Sequence, residues 1–161
     1  MTGSLPPEPH ADPGPVAGWW RRIGALLIDG LVLVGPVFVV LVVSGVDVDL
    51  ETGELAEGSP STAAIAVVVL LVLAYNTTLV SARGATIGKA SMGLRVVRLD
   101  DGSIPAWDRA LIRALVPQGA GALPVVGVPL LAACYALALF DRRRRGVHDL
   151  AAGTMVITAR R

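Results

Sequence analysis

Long apolar runs separated by polar stretches dominate the pattern of this chain. The first run, residues 22–43, has the length of a membrane-spanning helix, because a hydrocarbon core of about 30 Å needs roughly 20 apolar residues. Asp29 interrupts this run seven residues after Arg22, on the same helical face. A carboxylate there costs roughly 2.5–3.5 kcal/mol on an insertion scale, against roughly 6 kcal/mol gained by the surrounding aliphatic side chains. We therefore predict a first membrane helix in which a specific interaction accommodates Asp29.

A second apolar run, residues 62–82, predicts a second membrane helix. Polar side chains occupy its last third, among them Asn76. Such groups in a membrane helix face other helices or a cavity rather than lipid. Residues 44–61, between the two runs, carry acidic but no basic side chains, so we place this loop outside.

The third apolar run, residues 107–140, is interrupted by glycine and proline and has two interpretations. It begins with an amphipathic pattern and then forms either one tilted crossing or two short helices with a bend near residues 119–124. A single crossing would put four consecutive arginines outside, against the positive-inside rule. The hairpin keeps them inside, and it also brings the strand-like residues 154–158 to the same side as residues 94–99. We therefore predict the hairpin and a cytoplasmic pair of strands.

The polar segments complete the domain organisation. Residues 1–18 are rich in proline and predict a disordered tail, and residues 19–159 form one membrane domain. Within it, residues 83–106 are a basic cytoplasmic segment, and residues 141–161 are a basic segment followed by a strand. The predicted fold class is an all-α membrane protein with three to four transmembrane segments and a small cytoplasmic two-stranded β patch.

Composition supports the membrane class. The 161 residues are 53% hydrophobic with a mean hydropathy of +0.65, and only 4% are aromatic. Cys134 is the single cysteine, so no intramolecular disulfide can form. The sequence GATIGK (residues 84–89) is one residue short of a phosphate-binding loop, and no catalytic triad or cluster of metal ligands appears. We therefore expect neither enzymatic activity nor a cofactor or metal.

Four motifs carry a resemblance to a known family. They read WWRRIGALLID, TIGKASMGLRVVRLDDG, RALIRALV and DRRRRGVHDLAAGTMVI, and the resemblance they carry covers about residues 17–159. This pattern resembles the RDD family of small bacterial integral membrane proteins, named for one arginine and two aspartates. The matching residues here are Arg22, Asp29 and Asp149. The resemblance implies transport of unidentified ligands, with exchange of monovalent cations for protons in some members.

Two functional hypotheses follow. In the first, the protein transports a small solute or exchanges cations for protons at Asp29, because a desolvated carboxylate binds either a proton or a cation. Arg113 is then the candidate partner of Asp29, and Asn76 and His148 are supporting residues. In the alternative, the protein is a membrane scaffold or accessory subunit, and the family residues form a structural polar lock.

Location and partners are predicted from the charges and the size of the chain. Both termini are expected in the cytoplasm, and the protein is expected in the plasma (inner) membrane of a bacterium. The high alanine, glycine and valine content with almost no lysine suggests a GC-rich genome. A protein this small is expected to need a homo-oligomer or a partner membrane protein for transport. The arginine run comprises Arg142, Arg143, Arg144 and Arg145. Because it follows a membrane segment directly, we expect it to bind anionic lipid headgroups and not nucleic acid.

Overall fold

The computed structural model describes residues 15–45, 61–121, 127–141 and 144–159. Four features predicted from sequence lie outside these residues. They are the tail over residues 1–14, most of the acidic loop, the second half of the bend predicted near residues 119–124, and Arg142 and Arg143. The first half of that bend, residues 119–121, is helical.

Two long helices are the main elements of the fold. Helix α1 is Trp19–Val43 with 25 residues, and helix α2 is Thr62–Arg83 with 22 residues. Both are long and apolar enough to cross a membrane. The hydroxyl of Ser61 caps the start of α2 by accepting a hydrogen bond from the Ala64 amide at 3.2 Å. Gly84 ends the helix in the left-handed conformation, with a φ of 72°.

Within the described residues, four shorter helices follow. They are α3 (Ile87–Ser91), α4 (Trp107–Gly121), α5 (Gly127–Phe140) and α6 (Val147–Ala151). Helices α4 and α5 divide the third apolar run and pack against each other, as expected for the two legs of a hairpin. Helix α4 also packs against α2 and α6.

The two predicted strands pair with each other. Strand β1 (Leu94–Arg98) and strand β2 (Thr154–Thr158) are antiparallel, with Val96 opposite Val156. The pairing of these two segments, predicted from their β-branched residues, is confirmed.

Residues 15–18, predicted from sequence as the end of a disordered tail, lie along β2. Val16 forms an isolated bridge with Ile157, and the Ala17 amide donates to the Val156 carbonyl at 3.1 Å. The Thr158 amide donates to the Pro15 carbonyl at 2.9 Å. This end of the predicted tail is therefore a structured part of the domain, because β2 offers an unpaired edge to it.

The core lies at one end of the long helices. One cluster joins the sheet to α1, α2 and α4 and comprises Ala17, Ala25, Val80, Leu94, Val96, Ala110 and Val156. Ala25 is near the beginning of α1 and Val80 is near the end of α2, so both helices meet the sheet at the same end. We call this the polar end. Beyond it, α1 exposes large apolar side chains such as Leu31 and Phe38, a surface suited to lipid.

Candidate functional site: two buried carboxylates

Asp29 is buried in α1 and accepts hydrogen bonds from three donors. Its Oδ1 accepts from the Tyr75 hydroxyl and from the Gly88 amide, both at 2.7 Å. Its Oδ2 accepts from the Thr86 hydroxyl at 2.6 Å. Among the residues that the structure describes, no arginine, lysine or histidine forms an ion pair with this carboxylate. The Asp29 carboxylate is therefore bound by neutral donors from α2 and from the start of α3.

The start of α3 is built to meet this carboxylate. Thr86 is the N-cap residue, and its hydroxyl accepts from the Lys89 amide at 3.4 Å while donating to Asp29. The Gly88 amide belongs to the first turn, where backbone N–H groups have no partner within the helix. A side chain at Gly88 would overlap the Ala25 carbonyl oxygen and would lie 2.8 Å from Asp29 Cγ. Glycine is therefore required for α3 to approach α1 this closely.

Lys89 extends the hydrogen-bond network of Asp29. Its Nζ donates to the Thr86 hydroxyl at 3.3 Å, and that hydroxyl contacts the carboxylate. Desolvation lowers the pKa of Lys89 to about 8, and repulsion from Arg113 is the second cause of this shift. Attraction to Asp29 opposes it. Tyr75 closes the other side of the network, since its hydroxyl accepts from the Ile87 amide at 3.3 Å.

Asp149 is fully buried in α6 and lies between two arginines. Arg113 from α4 forms an ion pair with its Oδ1, and Arg22 from α1 lies 3.3 Å from its Oδ2. The Gly146 amide also donates to Oδ2, at 3.1 Å. A buried carboxylate with two guanidinium partners and a backbone donor has the full set of partners that burial of a charge requires.

The same two arginines reach the sheet. Arg113 Nη1 donates to the Thr154 hydroxyl at 3.0 Å, and Arg22 Nη2 donates to the Val156 carbonyl at 3.4 Å. The ion-pair cluster thereby connects α1, α4 and α6 with β2.

His148 is buried beside this cluster in its neutral form. Its Nε2 lies 3.7 Å from Asp149 Oδ2, and its ring centroid lies 4.9 Å from that of Tyr135. Burial holds the pKa of His148 well below its usual value, and repulsion from three neighbouring cations adds to the shift, those of Arg113, Lys89 and Arg22. Its Nδ1 has no hydrogen-bond partner among the described residues.

The chain is similar to known proteins over most of its length. The chain matches the model of the RDD family over residues 16–153. It belongs to the RDD family. It is similar to the uncharacterized membrane protein YteJ of Bacillus subtilis (strain 168), with 30% identity over 149 residues that cover 88% of this chain and 80% of that protein. No solved structure matches.

The three RDD residues divide into two groups in the structure. Arg22 and Asp149 form an ion pair, whereas Asp29 lies in the separate network with Tyr75 and Thr86. Arg113, the predicted partner of Asp29, pairs with Asp149 instead. That expectation was wrong because α4 packs against α6, which places the Arg113 guanidinium beside Asp149.

The remaining predicted residues have local partners. Asn76 donates from its amide to the Val72 carbonyl at 3.0 Å, within its own helix. Arg145 forms a double hydrogen bond with Asp141, and Arg144 is exposed. Tyr75, Thr86 and Gly88 were not predicted as partners of Asp29. The one local signal for them is a threonine placed three residues before Lys89, a pattern that suits an N-cap.

Proposed function

We propose that this RDD protein is a non-catalytic membrane scaffold or accessory protein. The observation that carries the proposal is that both buried carboxylates are satisfied by the chain itself. Asp29 accepts three hydrogen bonds, and Asp149 has two arginine partners and a backbone donor. These contacts join the two long helices to the short helices and the sheet. They support a role in which the family residues hold the membrane helices in a fixed arrangement.

The packing of the long helices supports an accessory role. The apolar part of α1 beyond Asp29 has few contacts with the rest of the chain and exposes Leu31, Val34, Phe38 and Val39. In a bilayer this surface faces lipid, a partner membrane protein or a second copy. We place the protein in the plasma membrane of a bacterium, with the polar end on the cytoplasmic side. The reason is that Arg21, Arg22 and Arg83 lie at that end of the long helices.

Exchange of monovalent cations for protons at Asp29 is the second candidate. It is favoured by one contrast between the two carboxylates. Asp149 has two cationic partners, whereas among the described residues Asp29 is bound by neutral donors alone. A carboxylate without a fixed counterion can take up a proton or a cation. Exchange would require the Tyr75 and Thr86 hydroxyls to release an oxygen of Asp29 during each cycle.

Asp29→Asn in the full-length protein separates the two candidates. Asparagine preserves the shape of the side chain and removes its charge. The measurements are the thermal stability of the purified protein and proton flux driven by Na⁺, K⁺ or Li⁺ in everted vesicles. Asp108→Asn is the matched control, because Asp108 is an exposed acid on α4.

The scaffold proposal expects no cation-driven flux from the wild type and a lower melting temperature for Asp29→Asn. Charge-assisted hydrogen bonds are worth about 1.5–3 kcal/mol against about 0.5–1.5 kcal/mol for neutral ones, so the expected loss is about 1–2 kcal/mol. Wild-type flux that disappears in a folded, well-expressed Asp29→Asn protein would overturn the scaffold proposal in favour of exchange.

A further inference from the structure

The arginine run after α5 contains two described members with opposite environments. Arg145 donates from Nε to Asp141 Oδ2 at 3.0 Å and from Nη2 to Oδ1 at 3.2 Å, so this guanidinium is neutralised. Arg144 is exposed, and no carboxylate among the described residues forms an ion pair with it. The φ of Arg144 is 52°, in the left-handed region that residues other than glycine adopt uncommonly.

The side chain of Arg144 lies beside the residue that precedes α1. Its Nη1 is 4.0 Å from the position that a Cβ on Gly18 would occupy, and Gly18 immediately precedes the helix. Arg21 and Arg22 follow Gly18 by three and four residues, so they lie over the same side of the first turn. Arg144 is close enough to Arg22 for their charges to repel each other.

Few negative charges balance these arginines. Asp149, the carboxylate that pairs with Arg22, is already shared with Arg113. The first turn of α1 contains no acidic residue, and its N-cap Gly18 has no side chain to cap the free amides. Arg144, which reaches Gly18 from a distant part of the chain, and the exposed Arg21 three residues after Gly18 therefore contribute positive charge that no ion pair among the described residues neutralises.

We propose that Arg144 and Arg21 bind the phosphate group of an anionic phospholipid headgroup beside the first turn of α1. A planar guanidinium matches the geometry of phosphate oxygens. Trp19 and Trp20 begin the same membrane helix, and Trp20 is 78% exposed, as expected of an aromatic residue at the level of the headgroups. This lipid site goes beyond the scaffold role and does not depend on it.

The test uses the full-length protein purified in a neutral detergent. Phosphatidylglycerol and phosphatidylcholine with identical acyl chains are titrated separately, and an apparent Kd is obtained from the rise in melting temperature. Arg144→Gln removes the proposed contact. Arg145→Gln is the matched control one residue away, because its guanidinium is already paired with Asp141. Arg144→Gly removes the same charge while favouring the observed φ, which guards against a loss caused by misfolding.

Wild type is expected to bind phosphatidylglycerol in preference to phosphatidylcholine. Both Arg144 variants should weaken phosphatidylglycerol binding about fivefold, the effect of one cation at an anionic surface, and Arg145→Gln should change it less than about twofold. Equal losses for Arg144→Gln and Arg145→Gln, or no preference in the wild type, would overturn the proposal. Inorganic phosphate is titrated as a third ligand. If it stabilises the protein as well as phosphatidylglycerol does, the site binds free phosphate and the lipid assignment is wrong.

Discussion

Asp29 and Asp149 show how the same side chain is accommodated in two different ways. The Asp29 carboxylate lies among hydroxyl and amide donors, whereas Asp149 is held by two guanidinium groups. The difference determines what removal of each charge should cost. Loss of the Asp29 charge leaves neutral donors that can find other acceptors, but loss of the Asp149 charge leaves two arginines without their counterion.

Asp149→Asn is therefore expected to destabilise the protein more than Asp29→Asn does. Arg22 and Arg113 would remain at the polar end with no carboxylate between them, and breaking a buried ion pair in this way costs about 3–5 kcal/mol. Asp101→Asn is the control, because Asp101 pairs with Arg98 at the surface, where ion pairs contribute about 0–1 kcal/mol. Urea unfolding of the variants in detergent measures the difference. Similar midpoints for Asp149→Asn and Asp101→Asn would contradict the structural role of Asp149.

His148 predicts how stability depends on pH. Its pKa is lowered in the folded protein, so below about pH 6.5 the unfolded chain binds a proton that the folded chain does not. Stability should therefore fall by about 2 kcal/mol between pH 7 and pH 5. Five charged or titratable groups surround the imidazole of His148. They are Asp149, Arg113, Lys89, Arg22 and Tyr135.

His148→Gln tests this dependence. The variant should lose stability less steeply than wild type over the same pH range, because its side chain does not titrate. Melting temperatures at intervals from pH 7 to pH 5 measure the two slopes. Parallel slopes would show that another group controls the acid sensitivity.

At the scale of elements, the close contact between α1 and α3 depends on one glycine. Gly88→Ala would place a Cβ against the Ala25 carbonyl oxygen and 2.9 Å from the Asp29 amide nitrogen. We expect a loss of about 2 kcal/mol or more, since backbone atoms on both sides must shift. Gly30→Ala is the control on α1. A Cβ at Gly30 meets nothing within 4 Å, so this change should be neutral or should stabilise the helix by up to about 1 kcal/mol. Equal changes in stability for Gly88→Ala and Gly30→Ala would show that the contact between α1 and α3 does not require glycine.

The sequence predicts the elements of this fold better than their contacts. The long helices begin and end close to the predicted positions because the bilayer sets the length of an apolar run. The strand pair follows from β-branched residues placed on the same side by the topology. The partners of Asp29 were not predictable in the same way. Thr86 and Gly88 lie 57 and 59 residues away from it, and only the fold of the segment after α2 brings them to the carboxylate.

At the scale of the whole molecule, contacts at the polar end constrain the topology. The Asp29–Tyr75 hydrogen bond and the packing of Ala25 with Val80 in one cluster pair earlier residues of α1 with later residues of α2, so the two helices run in opposite directions. Residues 15–17 lie along β2, which is near the carboxyl end of the chain. The described segments nearest the two termini are therefore at the same end of the long helices. Gly45 after α1 and Ser61 before α2 lie at the opposite end.

Cysteine accessibility in living cells tests this arrangement together with the proposed cytoplasmic location. Cys134→Ala provides a background without thiols, since Cys134 is the single cysteine. In that background Ser59→Cys, between α1 and α2, is expected to react with a membrane-impermeant maleimide in intact cells. Ser4→Cys and Ser103→Cys should react only after permeabilisation, because the proposed orientation follows the positive-inside rule and puts the polar end in the cytoplasm. Labelling of Ser59→Cys and Ser103→Cys from the same side would show that α1 and α2 do not both cross the membrane. Reaction of Ser4→Cys and Ser103→Cys, but not Ser59→Cys, in intact cells would mean that the protein is inserted in the opposite orientation.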